Sequence, residues 1–253
     1  MSQTFRHPDI LEIARSQGKV TVEGLAEHFS VSLQTIRRDL SDLAETGQLE
    51  RVHGGAIVAS GTVNIAYSQR RELNAEAKAA IAADCAAHIP SDCSVFLNIG
   101  TTTEAVAKAL LEHRNLMVVT NNINVASILA AVSSCEIILA GGVLRRKDGG
   151  LVGTLTQQSI ERFKVDYAVI GCSALDQDGD LLDFDIQEVG VSQTIIGQAR
   201  QTFLVADQSK FQRSAPVRIN SLSALSAVFT DAPLTSSLAE QCAAWGTAVH
   251  LCA

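Results

Sequence analysis

The sequence predicts an α/β chain in two parts: a small helix-turn-helix unit with a β-hairpin at the amino end, and a larger, mostly parallel α/β domain behind it. Three patterns predict it. Short, capped, amphipathic stretches fill the first 45 positions. A paired-glycine turn between two short apolar runs follows them, and from Ser94 onward seven β-rich runs alternate with helical stretches. A length of 253 residues accommodates two domains.

In the first part, Pro8 suits the first turn of a helix, and Ile10, Ile13, Ala14 and Gln17 share one side until Gly18 offers a stop. Thr21 caps a second helix, in which Val22, Leu25, Ala26 and Phe29 form one apolar stripe ending near His28. A break over Phe29-Ser30-Val31-Ser32 leads to a third helix capped by Ser32. Ile36, Leu40 and Leu43 occupy one face of it, and Gln34, Arg38 and Ser41 the other, flanked by Arg37.

A helix-turn-helix lays the amino-terminal half of its second helix against base edges in the major groove, and Gln34, Thr35, Arg37 and Arg38 occupy that half. Arginine holds guanine or phosphate bidentately, and glutamine pairs with adenine. The alternative is a solvated helix face. After Gly47, two short strands flank His53-Gly54-Gly55, because paired glycines permit the backbone angles of a tight turn. This is a wing, with Arg51, His53 and Gly54 placed to reach phosphate or the minor groove; a plain structural turn is the other reading of His53.

The net charge is -7, and residues 1–60 carry six Lys and Arg against eight Asp and Glu. A basic domain is the usual footprint of a nucleic-acid binder. Lacking one, this chain is expected to bind DNA as more than one copy, a dimer or tetramer, with locally placed cations doing the contacting.

The composition, 47% hydrophobic and 19% charged, is that of a packed globular protein. No apolar run approaches the roughly 18 residues of a membrane span, and the start is too interrupted for a signal peptide. A cytoplasmic protein without membrane contact is expected. Six scattered cysteines read as small buried hydrophobes rather than ligands, so neither zinc nor any cofactor is expected.

The polar stretch 59–74 reads as a linker between a first domain over 1–58 and a second over 75–253. Ala75 to His88 has the composition of a packed helix. Strands are expected at Ser94–Ile99, Leu116–Thr120, Glu136–Leu139, Tyr167–Ile170, Thr202–Val205, Ala227–Thr230 and Ala248–Leu251, forming a largely parallel, doubly covered sheet. Ligands bind such sheets outside the carboxyl ends of the strands.

Distinctive residues gather at that rim. Gly100, Thr101, Thr102 and Thr103 follow the first strand and open a helix, as a phosphate cradle or as ordinary capping. Asn121 and Asn122 end the second strand and Gly141-Gly142 the third, each common turn chemistry. Arg145, Arg146 and Lys147, before Asp148-Gly149-Gly150, read as a solvated hairpin. Asp183, Asp185 and Glu188 precede a helix, where they accept hydrogen bonds from hydroxyls or helix amides. Lys210, after Asp207-Gln208-Ser209, offers a point charge for phosphate or is a surface lysine.

Val31-Ser32-Leu33-Gln34-Thr35-Ile36-Arg37-Arg38-Asp39-Leu40, followed by Leu49-Glu50-Arg51-Val52-His53-Gly54-Gly55-Ala56, resembles the signature of the DeoR family of bacterial repressors. The Gly100 to Thr103 loop, Thr120-Asn121-Asn122, Gly141-Gly142, Gly153 and Asp207-Gln208-Ser209-Lys210 fit the same family's effector domain. The resemblance implies a winged-helix reader, a second domain similar in fold to ribose-5-phosphate isomerase, and no enzymatic activity. It implies that the threonine loop and Lys210 bind phosphate and that Asp185 and Glu188 face ligand hydroxyls. The expected function is repression of carbohydrate or polyol catabolism genes, with double-stranded operator DNA released by a small phosphorylated sugar or polyol; resemblance within the family implies glycerol 3-phosphate. In one departure, Gly190-Val191-Ser192-Gln193 stand where the family usually has basic residues soon after the glutamate. The alternative, a phosphosugar isomerase or deaminase with Glu188 as base, lacks a nearby following lysine to stabilise an enolate.

Overall fold

The computed structural model describes residues 3–17, 19–45, 48–52, 54–58 and 67–252. Gly18, Gly47, His53 and residues 59–66 of the expected linker lie outside them.

The amino-terminal domain comprises α1 (Gln3–Gln17), β1 (Lys19–Thr21), α2 (Val22–Phe29), α3 (Leu33–Glu45), β2 (Leu49–Val52) and β3 (Gly55–Val58). Helix α1 begins before Pro8, which therefore lies inside it rather than opening it, where it has no N–H for the intrahelical ladder and crowds the carbonyl one turn earlier. Thr21 caps α2 by accepting from the Gly24 amide at 3.1 Å, and Ser30 ends it in the left-handed conformation with φ 52°. Ser32 accepts from the Thr35 amide at 3.1 Å and so starts α3. Strand β1, too short to leave a period, completes an antiparallel sheet in the order β1-β3-β2. Gly55 is fixed by this addition, because a Cβ there would lie 1.9 Å from the Val20 carbonyl oxygen.

Ile10, Leu25, Ile36, Leu40, Leu43 and Leu49 are buried together in this domain's core. One polar contact crosses it. Arg6 of α1 donates to both carboxylate oxygens of Asp39 on α3, at 2.8 and 3.2 Å, and both residues are buried.

The carboxy-terminal domain opens with α4 (Tyr67–Glu72) and α5 (Ala75–Ala87). Seven parallel strands follow: β4 (Ser94–Leu97), β5 (Met117–Thr120), β6 (Glu136–Leu139), β9 (Val165–Ile170), β12 (Ala199–Val205), β14 (Ala227–Thr230) and β15 (Ala248–Leu251). They are the seven runs expected from sequence, in the spatial order β15-β14-β12-β9-β4-β5-β6. Alternation along each strand feeds two cores. Val95 and Leu97 point into one with Ile81, Val106 and Phe229, while Phe96 points into the other with Ile170, Ile195 and Leu204. Helices α5, α6 (Thr101–Ala109) and α7 (Ile123–Leu129) supply the first core; α8 (Thr154–Ile160), α9 (Ile186–Gly197) and α10 (Ser236–Trp245) supply the second. Cys85 and Cys252 pack in the first and Cys242 in the second, all free thiols.

Two antiparallel additions complete the domain, one at the hairpin expected around Asp148-Gly149-Gly150 and one not expected. Strands β7 (Val143–Arg145) and β8 (Gly150–Val152) form a hairpin, and β10 (Ala174–Leu175), β11 (Asp180–Asp183) and β13 (Val217–Ser221) form a small sheet. Each strand is too short to display a hydrophobic period. Residues 67–74, read from sequence as linker, begin with α4 and are tied to the domain behind them. The Tyr67 hydroxyl donates to Glu104 at 2.8 Å, and the Asn74 amide to Asp207 at 2.9 Å.

Replacing Asp39 by leucine leaves the Arg6 cation buried without its carboxylate, which costs about 3–5 kcal/mol when one member of a buried pair is removed. Urea unfolding of the full chain should show the loss, and Arg6→Met with Asp39→Leu should recover most of it. A loss below 1 kcal/mol in the single variant would contradict the assignment.

Candidate functional site

On the amino-terminal domain, Ser32, Gln34, Arg37, Arg38 and Gly54 are exposed, while Thr35 is half-buried with its hydroxyl 2.8 Å from that of Ser32. The first turn of α3 thus presents a polar face with two arginines. Arg51, expected to contact DNA, is exposed and also makes contacts within the domain. Its guanidinium donates to the Arg37 carbonyl at 3.0 Å and lies 3.4 Å from the Ser41 hydroxyl, fastening the wing to α3. His53 lies outside the described residues.

On the carboxy-terminal domain, the loops after β4, β9 and β12 meet at one end of the sheet. Chain order reverses there, with β5 and β6 to one side of β4 and β9, β12, β14 and β15 to the other. Such a switch point opens a crevice between loops that turn opposite ways. The cleft is lined by Gly100, Thr101, Thr102 and Thr103, by Gly171, Cys172 and Ser173, and by Arg70, Asp183, Glu188 and Lys210.

One half of this site is cationic. Burial lowers the Lys210 pKa against the pull of Asp207, and Arg213 lowers it further. Burial lowers Arg213 as well, with Arg70 as a repelling neighbour. Among the described residues, all three Arg213 guanidinium nitrogens and the Nε of Arg70 are buried without a hydrogen-bond partner. Lys78 is buried behind them, donates to the carbonyls of Arg70 and Leu73, and is brought down to about 8 by desolvation. Buried donors of one sign, unpaired, suit a bound anion.

The other half is acidic. Arg145 donates to Glu188 at 2.6 Å, to Asp185 at 2.7 Å and through two nitrogens to Asp148 at 2.8 and 2.9 Å. Burial alone would lower the Arg145 pKa, yet Glu188 and Asp148 raise it well above the ordinary value. Burial and nearby Asp183 push Glu188 up to about 7 despite Arg145. Asp183 accepts from the Ser173 hydroxyl at 2.8 Å and from the Phe184 amide at 2.6 Å. These acceptors beside the cation cluster can take hydrogen bonds from the hydroxyls of a small ligand.

Arg145 is therefore no solvated hairpin residue. It supplies, from the β7–β8 hairpin, the cation missing from the sequence after Glu188. Of the other expected site residues, Asn121, Asn122, Gly141, Gly142 and Asp185 lie outside the cleft wall. Asn121 and Asn122 are fully buried, with amides donating to the Leu151 carbonyl at 3.1 Å and to Glu104 at 3.3 Å. Gly141 and Gly142 make a turn against α8, where a Cβ on Gly142 would sit 1.9 Å from the Thr156 hydroxyl. Asp185 caps α9 and pairs with Arg145. The Thr103 hydroxyl is spent on the carbonyls of Asn98 and Gly100, at 2.8 and 2.7 Å. Arg70 and Arg213 carried no sequence signal beyond charge, since the partners that bury them are remote in the chain.

A winged helix with an arginine-bearing recognition face, joined to an α/β domain with a charged cleft at a sheet switch point, defines a DNA-binding regulator that carries a small-molecule sensor. Residues 6–62 match the DeoR-like helix-turn-helix domain and residues 73–232 the DeoR C terminal sensor domain. This chain belongs to the DeoR family. It is 49% identical over 92% of its length to the glycerol-3-phosphate regulon repressor of Escherichia coli, covering 92% of that protein. The protein of the same name from Haemophilus influenzae is 46% identical over 91% of this chain and 90% of its own length. The HTH-type transcriptional repressor CsqR of Escherichia coli is 40% identical over 89% and 87%. By these relatives the chain is a transcriptional repressor rather than an enzyme. Among solved structures, ribose 5-phosphate isomerase A of Methanocaldococcus jannaschii aligns over 55% of each chain, at 12% identity and a TM-score of 0.41. Among the described residues no helix is long and apolar enough to cross a membrane.

Glu188 has a raised pKa in the folded chain, about 7 against an unfolded value near 4.3. The native state thus binds more protons between those values, and the stability Glu188 contributes at acid pH is lost as pH rises through 7. Glu188→Gln removes this titration, so the Tm of the variant relative to wild type should climb from pH 5 to pH 8. A constant difference across that range would contradict the assignment.

Proposed function

We propose that the chain represses genes of polyol catabolism by holding operator DNA as a homo-oligomer, and releases it when glycerol 3-phosphate occupies the cleft of the sensor. The observation that carries this reading is the division of the site into cations, Arg70 and Lys210 in the cleft wall with Arg213 beside them, its guanidinium nitrogens without a hydrogen-bond partner among the described residues, and the acceptors Asp183 and Glu188. A phosphate meets the first group with charge, and the hydroxyls of a three-carbon polyol meet the second. The glycerol-3-phosphate regulon repressors that the chain resembles support this choice of ligand. Self-association is required by the reader, whose first 60 residues are formally -2, so that one copy has few cations to offer the phosphate backbone.

A mobility shift at fixed salt tests the reading. Glycerol 3-phosphate at saturation should raise the dissociation constant of the protein for its promoter DNA, and an unchanged constant rules that inducer out. Lys210→Gln removes a charged hydrogen bond to the anion, worth about 1.5–3 kcal/mol, or roughly ten- to hundredfold in ligand affinity by calorimetry. Arg37→Ala and Arg38→Ala should each cost about 1–3 kcal/mol in operator binding where the side chain reads a base, while ligand affinity is kept. Operator affinity equal to wild type in both variants would remove the recognition face from α3.

A further inference from the structure

Tyr67, the first residue of α4, follows Val58 at the end of the wing by nine positions. Helix α4 is thus the part of the sensor domain nearest in sequence to the DNA-reading domain, and Arg70 is its residue in the cleft wall. The main chain of Arg70 is well held: its carbonyl accepts from Lys78 and, at 3.3 Å, from the Thr101 hydroxyl. Its side chain is held by longer contacts, the first of them over the Tyr67 ring at 5.8 Å from the centroid. The guanidinium lies 3.5 Å from Asp148, whose carboxylate is already bonded by Arg145 at 2.8 and 2.9 Å. Its Nε is buried without a hydrogen-bond partner among the described residues.

Arg70 also acts as a repelling charge on each of Lys78, Lys210 and Arg213. An anion among these groups turns the repulsion felt by Arg70 into attraction. Lys210 of the cleft wall and Arg213 beside it have a different mechanical position. Lys210 and Arg213 follow β12, a strand inside the sheet, so drawing them toward an anion moves nothing that leads to the reader. Arg70 stands on a six-residue helix that leads back toward the wing. A ligand shifts an equilibrium only through contacts that differ between the two states.

We propose that Arg70 is the positioning residue through which occupancy of the cleft is reported to the DNA-reading domain. An anion held by Lys210 draws the Arg70 guanidinium away from Asp148, and α4 moves with it. Lys210 and Arg213 set how tightly the anion is held; Arg70 sets how much of that binding energy reaches the operator. The inference rests on the reading of the cleft as the effector site.

The test compares two numbers for each full-length variant. One is the affinity for glycerol 3-phosphate by calorimetry. The other is the ratio of operator dissociation constants, measured by anisotropy, with the cleft saturated and with no ligand. The duplex is one selected by the wild-type protein from a random library. The wild-type ratio is expected in the range of roughly 5- to 150-fold typical of allosteric coupling. Arg213→Gln should bind ligand more weakly and still reach the wild-type ratio at saturation. Arg70→Gln should give a ratio near one even when saturated, and Arg70→Lys, which keeps the charge, an intermediate ratio. Wild-type ratios in both Arg70 variants at saturation would overturn the inference and leave the cleft assignment standing. Absence of glycerol 3-phosphate binding to the wild-type protein would overturn the cleft assignment and the inference together.

Discussion

Parallel strands can be joined only by crossovers, and each crossover brings a loop back to the same end of the sheet. In this domain the crossovers run one way from β4 through β5 to β6 and the other way from β9 through β12 and β14 to β15. The loops after β4 and β9 therefore turn apart, and the space between them is the cleft. Residues separated by more than a hundred positions, such as Thr101 and Lys210, meet there because of this reversal alone.

Charge is what fills that space, and burial makes its arrangement consequential. A buried ion without a partner is costly, so the acidic half is organised around Arg145, which bonds three carboxylates at once. The cationic half is left without such a hub, and its guanidinium nitrogens are the groups with most to gain from an arriving anion. The same principle acts in the reader. The Arg6–Asp39 pair fixes the recognition helix from beneath, while Arg37 and Arg38, its neighbours in sequence, face outward. One turn of α3 thus serves both the core and the exposed surface.

The reader was nearly all legible in its residues. Thr21 and Ser32 capped the helices they were expected to cap, and the apolar spacing of Ile36, Leu40 and Leu43 placed the buried side of α3. What escaped was β1, a strand of three residues, the start of α1 ahead of Pro8, and the contact of Arg51 with α3, which depends on how closely the wing approaches that helix. In the sensor, all seven sheet strands were legible because each is a compact β-rich run between helices. The small sheet was not, since two to five residues leave no period to read.

The sequence by itself determined most of the elements: the three helices of the reader, the caps at Thr21 and Ser32, the seven strands of the large sheet, and which loops carry glycine, threonine and charge. These follow from local sterics, capping and the alternation of apolar residues, all properties of neighbours in the chain. The tertiary structure alone decided which charged residues share one site. It sent Asn121, Asn122 and Gly142 into packing roles, brought Arg145 from a hairpin to Glu188 in place of a missing local cation, and set Arg70 from an expected linker into the cleft wall. The physical reason is that pairing between charges depends on distance in space, and the order of strands in the sheet sets that distance.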